Sequence, residues 1–170
     1  EMISTLWRVS ADGLSGELIL STPMRYEMGR ESGVSPDLTK ILYYAPTGLP
    51  GEGNFSLMSS NVDGSGSSVY AAGRYENNAV WSPDNLHFFY TVGWLPTGRA
   101  FIGQVGGAPV EVLDYNNPVE AKWIDANRYL VVTNNDGRWR LLLGNIGAPT
   151  GVIYDSVSTS SNSIGFSVNR

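Results

Sequence analysis

The sequence predicts an all-β protein, and three observations carry this prediction. The 20 glycines and 9 prolines are spread along the whole chain of 170 residues, as expected where many turns join short elements. The apolar runs are only about five to seven residues long, and no window has the 3.6-residue spacing of an amphipathic helix. A repeat with a period near 42 residues joins these runs into similar units.

The repeat is clearest around two tryptophans. The segments AVWSPDNLHFFYTV (79–92) and AKWIDANRYLVVTN (121–134) both read as strand, tight turn, strand, and Trp81 and Trp123 stand 42 residues apart. Proline presets the first central residue of a β-turn, and the following Asp bonds nearby backbone, so Ser-Pro-Asp is expected to close a hairpin. The large flat side chains before the turn are expected to fill the space between neighbouring sheets.

Two further segments repeat this pattern in part. GVSPDLTKILYYAP (33–46) shares the Ser-Pro-Asp turn, and SIGFSVNR (163–170) repeats only the first strand, with Phe166 near the tryptophan position. The segment APTGLPGEGN (45–54), which overlaps the end of the first of these segments, is predicted to be a long loop.

A second half-unit alternates with the first and reads as strand, glycine-containing turn, strand. Its copies are LWRVSADGLSGELIL (6–20), FSLMSSNVDGSGSSVYAA (55–72), FIGQVGGAPVEVLDY (101–115) and LLLGNIGAPTGVIYD (141–155). The pairs Asp12-Gly13, Asp63-Gly64 and Gly106-Gly107 predict hairpin turns, because glycine accepts a positive φ.

Each full unit therefore holds four short strands in about 42 to 50 residues, which is typical of one blade of a β-propeller. In the best unit the four strands are AVW, HFFYTV, AFIGQV and VEVLDY. The chain is predicted to be a β-propeller or part of one, with about four blade-equivalents of four-stranded antiparallel sheets. The predicted parts are a partial blade at 1–22, blades at about 23–75, 76–116 and 117–157, and the start of another at 158–170.

The repeat resembles that of the TolB-like propeller family, a WD40-like repeat with a WSPDG-type turn and a later Asp-Gly turn. The match is close at Trp81-Ser82-Pro83-Asp84, where Asn85 replaces the final glycine of the WSPDG turn. It is good at 35–37, where Leu38 replaces that glycine. It is weak at Trp123, whose turn lacks serine and proline. The resemblance implies a propeller fold, and similar repeats occur in periplasmic TolB proteins, in the propeller domains of prolyl oligopeptidase-like serine peptidases and in many exported proteins of unknown role.

Composition excludes several classes of protein. Lys and Arg number 11 against 16 Asp and Glu, a net charge of −5 without a basic cluster, so no nucleic-acid partner is expected. No run of eighteen apolar residues exists, so no membrane span is expected. Residues 1–10 do not read as a signal peptide, and the absence of cysteine excludes disulfides without fixing the compartment. Given the family resemblance, the expected location is periplasmic or extracellular.

No residue set predicts a reaction within this segment. The only histidine, His87, lies at the start of an apolar strand, and GSGSS at 64–68 lies in a hairpin turn instead of a nucleophile elbow. Neither the segments at 61–66 and 134–138 nor any other has a complete calcium-loop pattern, so no metal and no cofactor are expected. The neighbouring acids Glu111, Asp114, Glu120 and Asp125 read as solvated strand ends, since sequence proximity does not set a carboxylate separation.

The predicted function is that of a non-catalytic scaffold that binds a protein partner through its loops. The candidate binding residues are Trp94, Arg99, Arg138 and Trp139, since exposed aromatic and guanidinium groups dominate binding energy. The alternatives are an accessory domain of a larger enzyme, such as a prolyl oligopeptidase-like serine peptidase, and a carbohydrate-binding module with Trp94 or Trp139 as its platform. The open ends predict either missing blades of a longer chain or self-association.

Overall fold

The computed structural model contains only antiparallel β-strands, and no helix occurs among the residues that it describes. These are residues 3–23, 33–46, 55–72, 79–93, 98–112, 118–135, 137–155 and 167–168. The strands are β1 (Ile3–Val9), β2 (Gly16–Pro23), β3 (Lys40–Pro46), β4 (Phe55–Asn61), β5 (Ser68–Ala72), β6 (Val80–Trp81), β7 (His87–Val92), β8 (Arg99–Gln104), β9 (Val110–Glu111), β10 (Pro118–Trp123), β11 (Arg128–Asn135), β12 (Arg138–Asn145) and β13 (Ala148–Asp155).

The strands form four sheets in which each strand pairs with its neighbour in the chain. The first sheet is β1–β2, the second β3–β4–β5, the third β6–β7–β8–β9 and the fourth β10–β11–β12–β13. In the second sheet a single bridge between Val34 and Ile41 stands where the third and fourth sheets carry their first strand. The predicted all-β fold of antiparallel sheets is therefore confirmed. The predicted start of another blade at 158–170 lies outside the described residues except for 167–168.

The chain divides into two compact units, Glu1–Arg74 and Tyr75–Arg170. The first unit has a small core around Ile41 and Tyr43 on β3. In the second unit the third and fourth sheets bury a common core of Phe89, Ala100, Ile102, Ala121, Trp123, Tyr129, Val131 and Leu142.

The two tryptophans that lead the repeat are buried, as predicted. The Trp123 indole Nε1 donates a hydrogen bond of 2.9 Å to the Val80 carbonyl. Since Val80 lies on β6 and Trp123 on β10, this bond links the third sheet to the fourth. The Trp123 ring also lies edge-on to Tyr129, with 5.4 Å between ring centroids. Trp81 packs instead on Phe88 of its own sheet, at 5.2 Å.

The Ser-Pro-Asp segments close tight hairpins, as predicted. The Ser35 N–H donates to the Lys40 carbonyl at 2.9 Å, and the Leu38 N–H donates to the Ser35 carbonyl at 2.9 Å. The turn at 82–87 makes the same two bonds. Leu38 and Asn85, which hold the glycine place of the turn, both have a φ of 61°. The left-handed backbone of this position is therefore kept although neither residue is glycine.

Replacing Leu38 with glycine is expected to raise the free energy of unfolding by about 0.5–1 kcal/mol. A left-handed φ costs leucine about 1–2 kcal/mol, and glycine removes this cost. The greater conformational freedom of glycine in the unfolded chain offsets part of the gain in stability. The Leu38 side chain is 67% exposed, so little packing is lost. Asparagine tolerates this conformation, so Asn85→Gly is the matched control and should change stability by less than about 0.5 kcal/mol. Urea titration followed by circular dichroism measures both, and equal gains in the two variants would contradict the explanation.

The Asp-Gly hairpins also have the predicted backbone. Gly13, Gly64 and Gly106 have φ values of 73°, 81° and 72°. The Gly13 N–H donates to the Ser10 carbonyl at 2.8 Å, and the Gly64 N–H donates to the Asn61 carbonyl at 2.9 Å. The turn after β1 also repeats the bonds of the Ser-Pro-Asp turns, because the Ser10 N–H donates to the Ser15 carbonyl at 3.0 Å and the Ser10 hydroxyl donates to Asp12 Oδ1 at 2.6 Å.

Two aromatic rings lie flat over glycines of the neighbouring strand. Phe88 pairs with Gly103, and Tyr129 pairs with Gly144. A Cβ atom on Gly144 would lie 2.2 Å from Tyr129 Cζ, and one on Gly103 would lie 2.3 Å from Phe88 Cε2. Burial raises the pKa of Tyr129 to about 12, and its hydroxyl has no hydrogen-bond partner among the described residues. These glycines make room for two aromatic rings that are fully buried.

Candidate functional site

Arg99, the first of the predicted binding residues that the structure describes, begins β8 and is exposed. Its Nε donates to Glu111 Oε1 of β9 at 2.6 Å, and its Nη2 donates to Glu111 Oε2. The guanidinium carbon lies 5.6 Å from the centroid of the Phe101 ring. The bond from Arg99 lowers the pKa of the Glu111 carboxyl, so the pair stays charged at neutral pH.

Arg138 begins β12 and makes a similar pair with the last residue of β13. Its Nε and Nη2 donate to the two carboxylate oxygens of Asp155, at 2.6 and 2.7 Å. Arg140 Nε lies 3.4 Å from the same carboxylate. The hydrogen bond from Arg138 is the main cause of the lowered pKa of Asp155. Two guanidinium groups thus share one carboxylate and leave a local excess of positive charge.

The other two predicted binding residues are placed differently. The Trp139 side chain is only 6% exposed and packs into the sheet. Alternation along β12 explains this, because a side chain between Arg138 and Arg140 points to the opposite face. Trp94 lies outside the described residues, as does most of the predicted loop at 45–54. The structure does not bring Arg99 and Arg138 into one cluster, since each pairs with its own carboxylate on a different sheet.

An exposed apolar run lies beside Asp155, and its exposure was not predicted from the sequence. Val152, Ile153 and Tyr154 of β13 are exposed, Ile153 and Tyr154 by 55% and 54%. Among the described residues β13 is the last strand of the fourth sheet, so both of its faces and its outer edge are open. We call Arg138, Arg140, Val152, Ile153, Tyr154 and Asp155 the β13 surface. The sequence signal was a run of consecutive apolar residues without alternation, and it reads equally well as a buried strand.

The β13 surface has the chemistry of a binding face. A paired guanidinium, a tyrosine and aliphatic side chains supply directional hydrogen bonds and area that can be removed from water. The outer edge of β13 also offers backbone groups to an added strand.

His87 lies at a position that is occupied by a basic residue in each of three hairpins. Its Nδ1 lies 2.5 Å from Asp84 Oδ2, while the Ser82 hydroxyl donates to the Ala126 carbonyl at 3.3 Å. In register, His87 faces Gln104, as Lys40 faces Asn61 and Arg128 faces Asn145. Each full hairpin therefore places a basic side chain directly after its first turn.

Five turn aspartates accept hydrogen bonds from the backbone in the same way. In each, one carboxylate oxygen accepts from the N–H two residues ahead; these residues are Asp12, Asp37, Asp63, Asp84 and Asp125. The pKa of each carboxyl is lowered; at Asp37 the causes are the Ser35 hydroxyl and then the Thr39 N–H. Burial would raise the pKa of Asp84, but the His87 ring and the turn N–H groups outweigh it.

These lowered pKa values predict that the fold is lost in acid. A carboxyl with a lower pKa in the folded state stabilises the fold above its unfolded pKa of about 3.9, and this contribution disappears as the pH falls through the folded value. The free energy of unfolding, measured by urea titration, should therefore decline as the pH falls below about 5. Asp37→Asn keeps the acceptor oxygen without a titrating proton, so its decline should be shallower. A stability that is level over this range would contradict the role of the turns.

Two more of the acidic residues considered in the sequence analysis form ion pairs with nearby basic side chains. Glu120 pairs with Lys122 at 3.0 Å, and Asp125 pairs with Arg128 at 2.6 Å. Asp114 lies outside the described residues. Within the described part of the chain, no three His, Asp or Glu side chains lie close enough together to hold a metal ion. Nor does that part contain a helix long and apolar enough to cross a membrane.

Solved structures with a similar fold are β-propellers. TolB from Acinetobacter baumannii matches with a TM-score of 0.62 and 14% identity over 87% of this chain and 36% of its own. The β-propeller domain of the Trilobed protease from Pyrococcus furiosus matches with a TM-score of 0.61 and 9% identity over 88% of this chain and 49% of its own. A TolB-like protein from Agrobacterium tumefaciens matches with a TM-score of 0.58 and 15% identity over 89% and 56%.

These similarities establish a TolB-like propeller fold, and at such identities they establish the fold alone. The chain spans between about a third and just over half of the length of these structures, 36% to 56%. No family model matches the chain, and no curated protein matches it.

Proposed function

We propose that this chain is a non-catalytic propeller scaffold that binds another protein, and that the β13 surface takes part in the contact. The observation that carries the proposal is the exposed pair Ile153 and Tyr154 beside the Arg138–Asp155 ion pair. Arginine and tyrosine are enriched among residues that dominate interface energies. Tyr154 and Asp155 are neighbours along β13 and point to opposite faces of the strand, so the proposed contact involves both faces of this strand. The contact of His87 with Asp84 inside its turn, and the hydrogen bond from the Ser82 hydroxyl to the Ala126 carbonyl of the next hairpin, agree with a scaffold role.

The proposed location is periplasmic or extracellular. Its support is the resemblance of the repeat to that of periplasmic TolB proteins. Fractionation of cells that produce the native protein tests it, and recovery in the cytoplasm would contradict it.

Site-specific photo-crosslinking tests the proposed binding face. A photo-reactive residue at Ile153 should trap a partner in the native host, and the same residue at the exposed Leu14 is the control. With the trapped protein purified, Arg138→Ala and Tyr154→Ala should each weaken binding by about tenfold or more. Leu14→Ala should leave the affinity unchanged. Equal affinities for all of these variants would overturn the role of the β13 surface.

An accessory domain of a larger enzyme is the second candidate, favoured because the Trilobed protease carries a domain of similar fold. In this case catalysis would belong to flanking sequence. An adjoining α/β-hydrolase segment with a G-x-S-x-G nucleophile elbow would support it, and further repeats on both sides would oppose it. A carbohydrate platform would have to depend on Trp94, since the Trp139 ring is buried. Binding on a glycan array that Trp94→Ala abolishes would support that alternative.

A further inference from the structure

The fourth sheet has a long last strand, and no strand pairs with the outer edge of this strand among the described residues. The third sheet also has four strands, and from its last strand, β9, the chain continues into β10 of the fourth sheet. A last strand in fourth position is therefore a property of the repeat. β9 has two residues, whereas β13 has eight, of which Val152, Ile153 and Tyr154 are an exposed apolar run. Short or charged edge strands discourage pairing with other chains, and a long apolar edge favours it.

The hydrogen bonds between β11 and β12 show which way the backbone groups of β12 point. The Ile146 N–H donates to the Asn127 carbonyl at 2.9 Å, and the two strands then pair without a register shift. Because bonded and non-bonded pairs alternate along antiparallel strands, Leu142 and Arg140 turn their backbone groups toward β11.

The residues of β13 that lie opposite these two therefore turn their backbone groups outward. They are Val152, opposite Leu142, and Asp155, opposite Arg140. The register of β13 on β12 shifts between these pairs and leaves Ile153 as an extra residue. Val152 and Asp155 consequently stand three positions apart, whereas the outward groups of a regular strand recur at every second residue.

This irregular spacing makes the outer edge of β13 complementary to itself. A regular strand laid along the edge would meet the outward groups of Val152 or of Asp155, but not of both. A second copy of β13 in antiparallel orientation has the same spacing, so it meets both.

We propose that two copies of this chain pair through β13, with the two strands antiparallel and related by a two-fold axis. Val152 of each copy lies opposite Asp155 of the other, and Ile153 of each copy lies opposite Tyr154 of the other. This register bonds the outward backbone groups of both strands and joins the two fourth sheets into one. The dimer rests on the proposed function, in that the second copy is the partner at the β13 surface.

The side chains of β13 agree with this register. Aromatic and β-branched side chains form favourable cross-strand pairs, and the dimer contains Ile153 opposite Tyr154 twice. Arg138 donates to both carboxylate oxygens of Asp155, so this carboxylate carries its own counter-charge into the contact. A register with Asp155 opposite Asp155 of the second copy would place like charges directly opposite each other. It would also leave the outward groups of Val152 without a bond.

Light scattering over a concentration series measures the mass of the intact chain in solution. Because the paired edge is short, we expect a dimer with a dissociation constant on the order of micromolar or weaker. Val152→Pro removes one outward N–H from each copy, and edge strands tolerate proline, so this variant should stay folded and weaken the dimer by about tenfold or more. Val152→Thr keeps the N–H and the branched shape, and it should change the dissociation constant by less than about threefold.

Two charged variants test the register, and they decide the matter if circular dichroism shows that Val152→Pro is unfolded. Ile153→Glu and Tyr154→Lys should each weaken the dimer by about tenfold, because each puts a charge against an apolar side chain in both cross-strand pairs. An equimolar mixture should dimerise more tightly than either variant alone. In the mixed dimer one pair joins glutamate to lysine, and the other keeps Ile153 opposite Tyr154.

Photo-crosslinking at Ile153 separates the dimer from the proposed function. Trapping of a second copy of the chain supports the dimer. A chain that stays monomeric in light scattering while Ile153 traps a different protein overturns the dimer and leaves the proposed function standing, and a monomeric chain that traps nothing overturns both. A dimer that Val152→Pro and the charged variants leave unchanged forms through another surface, and this result also overturns the pairing through β13.

Discussion

Replacing Trp123 with alanine is expected to lower the free energy of unfolding by about 3–5 kcal/mol, the range for loss of a large buried aromatic side chain. The substitution would leave a cavity between the third and fourth sheets and remove the bond from Nε1 to the Val80 carbonyl. Since small domains are stable by only about 5–15 kcal/mol, a loss of this size would bring the chain close to unfolding at room temperature. Urea titration followed by far-ultraviolet circular dichroism measures it.

Two further variants make the result specific. Trp7→Ala removes a tryptophan that is half-exposed on β1 and should cost less than about 1 kcal/mol. Trp123→Phe keeps most of the ring and loses the hydrogen bond, so it should fall between the two. If Trp7→Ala and Trp123→Ala destabilise equally, Trp123 does not link the two sheets in the way described.

Replacing Gly144 with alanine should destabilise the protein by about 1–3 kcal/mol or more, through a clash instead of a cavity. The new methyl group would lie 2.2 Å from Tyr129 Cζ, and the Tyr129 ring is fully buried. Gly103→Ala should have a similar effect through Phe88. Gly151→Ala is the control on the adjacent strand, because no atom lies within 4 Å of its added Cβ, and it should change stability by less than about 0.5 kcal/mol.

A double variant tests the cause. Combining Gly144→Ala with Tyr129→Ala removes the ring that causes the clash, so the combined loss should be smaller than the sum of the two single losses. Additive losses would show that Gly144 matters for another reason, such as its backbone conformation.

The features that could be predicted from the sequence are local. Ser-Pro-Asp and Asp-Gly segments fix their turns within a few residues, and their spacing repeats along the chain. They were therefore sufficient to predict the hairpins, the antiparallel sheets and the burial of Trp81 and Trp123.

The features that could not be predicted depend on which strands meet. The ring of Tyr129 covers Gly144 only because the register of β11 and β12 brings them together, and no residue near either one signals this. Leu38 in a left-handed conformation breaks a local preference that the rest of the turn overrides. The burial of Trp139 could have been inferred from its place between Arg138 and Arg140. The exposure of β13 could not, because it depends on where a sheet ends.

The repeated turn carboxylates change what the acidity of this protein means. Five of its sixteen acidic residues are occupied in holding backbone N–H groups, and so they belong to the architecture. The isoelectric point could therefore be moved toward neutrality by changing other acids, such as Glu17, while these five positions would have to stay. Part of the net charge of −5 therefore reflects how the turns of this chain are built.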